Sequence, residues 1–161
     1  IKVALDLNID KKTIQKTLPS LFFQGRFQYL KKGKIKNKLF RNEIIMIDGA
    51  HATADAQNLA SYLKNIKIPK YGIWAMTKNK EPDLFIKQLK GVFKKVVTMP
   101  IENEKNSVPA YDLYKVATKN RFKAEKSNNF TEALRKISSK EKKLIVCFGS
   151  LYNCGNILNQ N

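Results

Sequence analysis

From Glu43 onward, short apolar runs alternate with amphipathic stretches, and no other feature of the chain narrows its choice of fold so much. The runs cover residues 44–47, 71–76, 96–98, 122–124 and 144–148. Four helical patterns lie between them. The first covers residues 52–63, where Ala52, Ala56, Leu59, Ala60 and Leu63 recur at helical spacing. The second starts at Pro82, with Asp83 favouring the N-terminal dipole and Leu84, Phe85 and Leu89 turned inward. Pro109 opens the third, which carries Leu113, Val116 and Ala117. Asn129 caps the fourth, with Glu132 three residues on and a stripe of Phe130, Ala133, Leu134 and Ile137. A short fifth helix is expected after Tyr152. Strands separated by helices are too far apart in sequence to pair as hairpins, so the pattern predicts crossovers and a largely parallel sheet. The expected fold is therefore α/β with three layers: a Rossmann-like, mostly parallel sheet with helices on both faces.

Upstream the pattern is weaker. Residues 1–20 read as a lead-in without a core of its own, in which Asp10 opens a helical turn carrying Ile14 and Leu18 that ends near Pro19. Residues 21–30 alternate toward their end as a strand would, and the lysine-rich 31–38 is expected to turn that strand back on 39–41 as a hairpin. Residues 21–161 form the expected domain. A chain of 161 residues is long enough to bury such a core without disulfides or metal. Cys147 and Cys154 are too few and too unpatterned for a metal site, and read as reduced thiols.

The chemistry concentrates after the first run, in IIMIDGAHATADAQNLASYL at residues 44–63. This reads as strand, tight turn and helix, and the turn places Gly49 between the carboxylate of Asp48 and His51, the single histidine. The carboxyl ends of parallel strands gather on one edge, where open α/β sheets bind ligands. That edge would carry Asp48 and His51, then Thr77 and Lys78, then Met99, and finally Gly149 and Ser150. Each has an ordinary structural reading as well: Asp48 as a turn residue, and Ser150 as the cap of a helix. A Ser-His-Asp hydrolase is disfavoured because Gly149-Ser150-Leu151 lacks the G-x-S-x-G elbow. Neither G-x-G-x-x-G after a strand nor G-x-x-x-x-G-K-[ST] occurs, which removes those routes to dinucleotide or triphosphate.

A formal charge of +18 points first to nucleic acid or another anionic partner. Only Arg26, Arg41, Arg121 and Arg135 among the 31 basic residues are arginine, the residue suited to bidentate recognition of bases and phosphate. The densest lysine patch, Lys31, Lys32, Lys34, Lys36 and Lys38, has no interleaved aromatics to stack bases. The charge is read as a solvated surface that attracts small polyanions, with nucleic acid the lesser alternative. No apolar run approaches the about 18 residues of a membrane span, and no signal peptide is evident, so the expectation is a cytoplasmic monomer. A first residue other than methionine suggests a piece of a longer protein.

Gly25-Arg26, Asp48-Gly49-Ala50-His51 and Gly149-Ser150-Leu151-Tyr152, in that order and spacing, resemble the C-terminal domain of bifunctional folylpolyglutamate synthase/dihydrofolate synthase, of the Mur ligase superfamily. Trp74-Ala75-Met76-Thr77-Lys78 looks like that family's second strand with its lysine-bearing loop, and Met99-Pro100 leading to Val108-Pro109 like its third. The resemblance implies an ATP-dependent amide ligase that adds L-glutamate to dihydropteroate or folate through an acyl phosphate. It also implies an N-terminal ATPase domain of the same polypeptide, which would hold the P-loop and the ligands of Mg2+; no metal ligand is assigned in this chain, and the fragment is expected to be inactive alone. Arg26 and Asp48 match positions that contact ATP, whereas His51 and Ser150 match positions associated with glutamate. The family's usual Asn-Pro after the histidine is Ala52-Thr53 here, Gln24 stands where proline is frequent, and Asn153-Cys154 replaces a more apolar pair. The alternative within the superfamily is a cell-wall Mur ligase domain acting on a UDP-linked precursor.

Overall fold

The computed structural model describes residues 7–161, so the start of the lead-in, residues 1–6, lies outside the described residues. Asp10 caps α1 (Lys11–Thr17), its carboxylate accepting from the Thr13 amide, and a 3-10 turn (Leu18–Ser20) follows. Then come β1 (Gln28–Tyr29), α2 (Lys34–Lys38), β2 (Glu43–Asp48), α3 (Thr53–Lys64), β3 (Lys70–Trp74), α4 (Pro82–Lys87) and β4 (Lys95–Thr98). The chain ends with α5 (Ala110–Lys119), β5 (Ala124–Lys126), α6 (Phe130–Ile137), β6 (Lys143–Phe148) and α7 (Leu151–Gln160).

The six strands form one sheet in the order β1-β2-β6-β3-β4-β5. β1 is antiparallel to β2, and every other pair is parallel. The chain steps outward from β3 to β5 and then returns, so that β6 enters between β2 and β3. Crossovers of one hand therefore put helices on opposite faces before and after the return. Helices α3, α4 and α5 pack with Met46, Trp74, Val96, Leu144, Val146 and Phe148. On the other face α6 and α7 pack with Ile45, Ile47, Ile73, Val97, Ile145 and Cys147. Alternate residues of one strand thus serve two cores, and β6 is buried at every position, as a central parallel strand must be. The expected three-layer α/β fold is the one observed.

Several local expectations are corrected. Residues 31–38 do not turn a hairpin back on 39–41; α2 occupies the last five of them, and β1 pairs instead with β2, at Gln28 with Ile47 and Tyr29 with Met46. A lysine-rich run around Gly33 suits a one-turn helix because Ile35 finds a buried seat. The fourth strand expected at 122–124 is displaced to Ala124–Lys126, because Phe122 closes the end of α5 with its amide on the Ala117 carbonyl. Leu84 is exposed, and Ile86 takes the inward position beside Phe85 and Leu89. The final helix is neither short nor delayed: it starts at Leu151 and runs ten residues.

Candidate functional site

β2 and β6 are neighbours, yet the chain leaves β2 toward the face of α3 and leaves β6 toward the face of α7. Such a divergence of outgoing connections opens a crevice at the carboxyl edge of a sheet. The register sets its floor: Asp48 pairs with Phe148, and Phe148 pairs with Trp74. The turn after β2 and the turn after β6 therefore emerge side by side, although about a hundred residues of sequence separate them.

Close approach demands the two glycines there. A Cβ on Gly49 would overlap the Leu151 side chain, and one on Gly149, whose φ is +107°, would overlap the Ala75 carbonyl and the Trp74 indole. The segment from Gly25 to Phe27 docks onto the same turn. The Gly49 amide donates to the Gly25 carbonyl at 2.6 Å, and the Phe27 amide donates to Asp48 Oδ2 at 2.8 Å. Phe27 holds a left-handed backbone at φ 44°, unusual for a bulky residue, and its ring lies 4.7 Å from that of Tyr62 on α3. Arg26, between these anchors, is thereby fixed at the rim with its side chain about one third exposed.

Asp48 is 2% exposed, and its other oxygen accepts from the Ala50 amide at 2.8 Å. Burial pushes its carboxyl above the ordinary value, and the amides of Phe27 and Ala50 and the Arg26 charge offset part of that rise. His51 Nδ1 lies 2.7 Å from the Gly49 carbonyl. A carbonyl oxygen can only accept, so Nδ1 carries the proton and Nε2 of the neutral ring is left as an acceptor. Ser150 occupies the N-cap position of α7, but its hydroxyl caps no helix amide, contrary to its ordinary structural reading. The structure thus brings Asp48, His51, Arg26 and Ser150 to one edge. Among the described residues no hydrogen bond joins the Ser150 hydroxyl to Asp48 or His51.

Thr77 and Lys78, after β3, belong to the same edge but are held by the loop that follows β4. Thr77 bridges Ser107, and the Lys78 amide donates to the Asn106 carbonyl at 2.7 Å. Sequence reasoning missed three other groups. Asp55 sits under His51; an acid three residues beyond a helix N-cap was the available signal. Asn153 and the Trp74 indole nitrogen are buried near the crevice with no hydrogen-bond partner among the described residues, and burial of a polar atom without a partner has no signature in sequence. Among the described residues no three His, Cys, Asp or Glu side chains gather as a metal site, and no helix is long and apolar enough to cross a membrane.

A mostly parallel sheet with a switch point between β2 and β6 and helices on both faces defines a doubly wound α/β domain. The family model described as dihydrofolate synthetase, C-terminal domain, matches residues 31–160. The chain belongs to that family. Its fold is similar to Mycobacterium tuberculosis folylpolyglutamate synthase complexed with ADP and AMPPCP, with a TM-score of 0.76 at 18% identity over 93% of this chain and 35% of that one. E. coli FolC in complex with ADP gives 0.74 at 17% identity, covering 93% and 34%. The bifunctional folylpolyglutamate synthase/dihydrofolate synthase of Yersinia pestis, complexed with AMPPNP and Mn ion, gives 0.75 at 16%, with the same coverage. The chain spans about a third of the length of these structures. No curated protein matches its sequence.

Proposed function

We propose that this chain is the C-terminal, glutamate-side domain of a cytoplasmic ATP-dependent ligase that adds L-glutamate to dihydropteroate or folate. The observation that carries this reading is the convergence of Gly25-Arg26, Asp48–His51 and Gly149-Ser150 on one switch-point crevice in a chain of the dihydrofolate synthetase family. In the reaction a carboxylate oxygen of the pteroate or folate takes the γ-phosphoryl group of ATP, giving an acyl phosphate and ADP. The amino nitrogen of glutamate then adds to the acyl carbon, loses a proton, and the tetrahedral intermediate expels inorganic phosphate as the amide forms.

Two anionic substrates and a triphosphate must be held together, so positioning and charge compensation supply most of the acceleration. Arg26, fixed at the rim by the Gly25 carbonyl on one side and the Phe27 amide on the other, faces the phosphates. Asp48 serves the nucleotide site from beneath, because its two oxygens hold the amides of Phe27 and Ala50 and so fix the turn that carries Arg26. His51 and Ser150 receive the glutamate, to which imidazole and hydroxyl offer hydrogen bonds without a fixed charge. Mg2+ would be held by residues of the remaining polypeptide, where it supplies compensation for phosphate charge.

The test is glutamate-dependent phosphate release by the full-length polypeptide, measured with a panel of folates, dihydropteroate and UDP-muramoyl acceptors. Turnover with pteroate or folate is expected, and Arg26→Ala and His51→Ala should each lower it by about a hundredfold to a thousandfold, the range for loss of one positioned hydrogen-bonding group. Turnover with the UDP-linked acceptor alone would move the domain to the cell-wall branch, and unchanged kinetics in both variants would remove the assigned roles.

A further inference from the structure

Helix α3 starts without the usual means of starting a helix. Its N-cap is Ala52, which has no side-chain acceptor for the free amides of the first turn. Asp55, in that first turn, reaches back instead. One oxygen, Oδ2, lies 3.2 Å from the His51 amide and 3.3 Å from the Ala52 amide. The same atom lies 3.7 Å from His51 Nδ1 and 3.9 Å from an Arg26 guanidinium nitrogen. A carboxylate needed only to close a helix turn has no requirement to stand against both an imidazole and a guanidinium.

We propose that Asp55 is a positioning residue for His51: its charge stabilises the Nδ1–H edge against the Gly49 carbonyl, so that Nε2 is presented as the acceptor for an N–H donor. The donor that suits this arrangement is the amino group of the incoming amino acid rather than either of its carboxylates, a refinement that rests on the ligase reading. Because Oδ2 also stands near Arg26, the phosphate-facing cation and the amine-facing imidazole share one anion. The proposal predicts a property of the ligand-free chain, so it can fail independently of the ligase reading.

His51 is the only histidine, and a single pair of imidazole 15N resonances therefore reports its tautomer without assignment. With the ring neutral, the wild-type 161-residue chain should show the Nδ1–H form alone. Asp55→Asn keeps an oxygen for the two amides but loses the charge; it should retain a near-normal thermal midpoint and show a mixture of tautomers. Asp55→Ala should lose both the midpoint and the single tautomer. Adding Ala52→Asn to Asp55→Ala supplies a conventional cap, and should restore the midpoint while leaving the tautomers mixed. A single Nδ1–H form in both Asp55 variants, or its return together with the midpoint in the double variant, would reduce Asp55 to a helix cap and overturn the proposal. An Nε2–H form in the wild type would overturn it as well. If the tautomers behave as expected but full-length enzyme shows no glutamate-dependent turnover, the positioning of His51 stands and the identity of its N–H donor is withdrawn.

Discussion

Asp48 shows how one side chain is asked to do two things at once. Its carboxylate is buried, which raises its proton affinity, yet both oxygens are engaged by amides that favour the charged form. Asp48→Asn would remove the desolvation cost but place an NH2 group against one of two N–H donors. A net loss of about 1–3 kcal/mol is expected, the cost of a buried unsatisfied donor, and chemical denaturation measures it; unchanged stability would mean that the two amides are not held as described. Cys154 gives a residue-scale prediction with a definite sign. Burial, followed by the Asp48 charge, raises its thiol from 9.0 to about 12, against the pull of Arg26. The folded state resists ionisation that the unfolded state accepts, so this contribution is complete below pH 9 and declines as the pH rises from 9 toward 12. The slope is at most about 1.4 kcal/mol per pH unit, and the wild type should lose stability over that interval faster than Cys154→Ala.

At the scale of elements, the amino edge of the sheet is closed by a buried ion pair, Glu43 with Lys143. Glu43 accepts from the Phe40 amide, the Ser138 hydroxyl and the Ser139 amide, and Lys143 lies 3.8 Å from it while donating to the Ile137 carbonyl. These bonds tie α6 and its following turn to β2 and β6. Lys143→Met should cost about 3–5 kcal/mol by leaving the buried Glu43 carboxylate without its counter-charge, and the double change Glu43→Gln with Lys143→Met should recover part of that loss in the same denaturation experiment. Elements with strong periodicity were legible: the stripe of Phe130, Ala133, Leu134 and Ile137 and its Asn129 cap are found as read. Elements decided by their neighbours were not. β1 has two residues and exists because Gln28 and Tyr29 meet the edge of β2. Ile86 and Leu84 are equally apolar, and only the way α4 packs between α3 and α5, over Trp74 and Phe148, chooses between them.

For the molecule as a whole, the apolar runs announced a parallel sheet but not the order of its strands. That β6, last in sequence, enters between β2 and β3 is what creates the switch point, and nothing in its five apolar residues, Leu144 to Phe148, says so. Asp48, His51 and Gly149-Ser150 were legible as a set because strand ends in such sheets share an edge; for Asp55 the sequence offered only its place three residues after the N-cap Ala52, and its approach to His51 and Arg26 needs the folded turn. If the chain is the glutamate-side domain proposed above, this one edge, and no other surface of a highly charged molecule, receives the amino acid. Amide 15N–1H spectra of the chain titrated with L-glutamate, with L-glutamine as control, test it most directly. Shifts confined to residues 25–27, 48–55 and 149–153, and weaker with glutamine, are predicted; shifts spread along the lysines of 31–38 and equal for the two ligands would contradict the account.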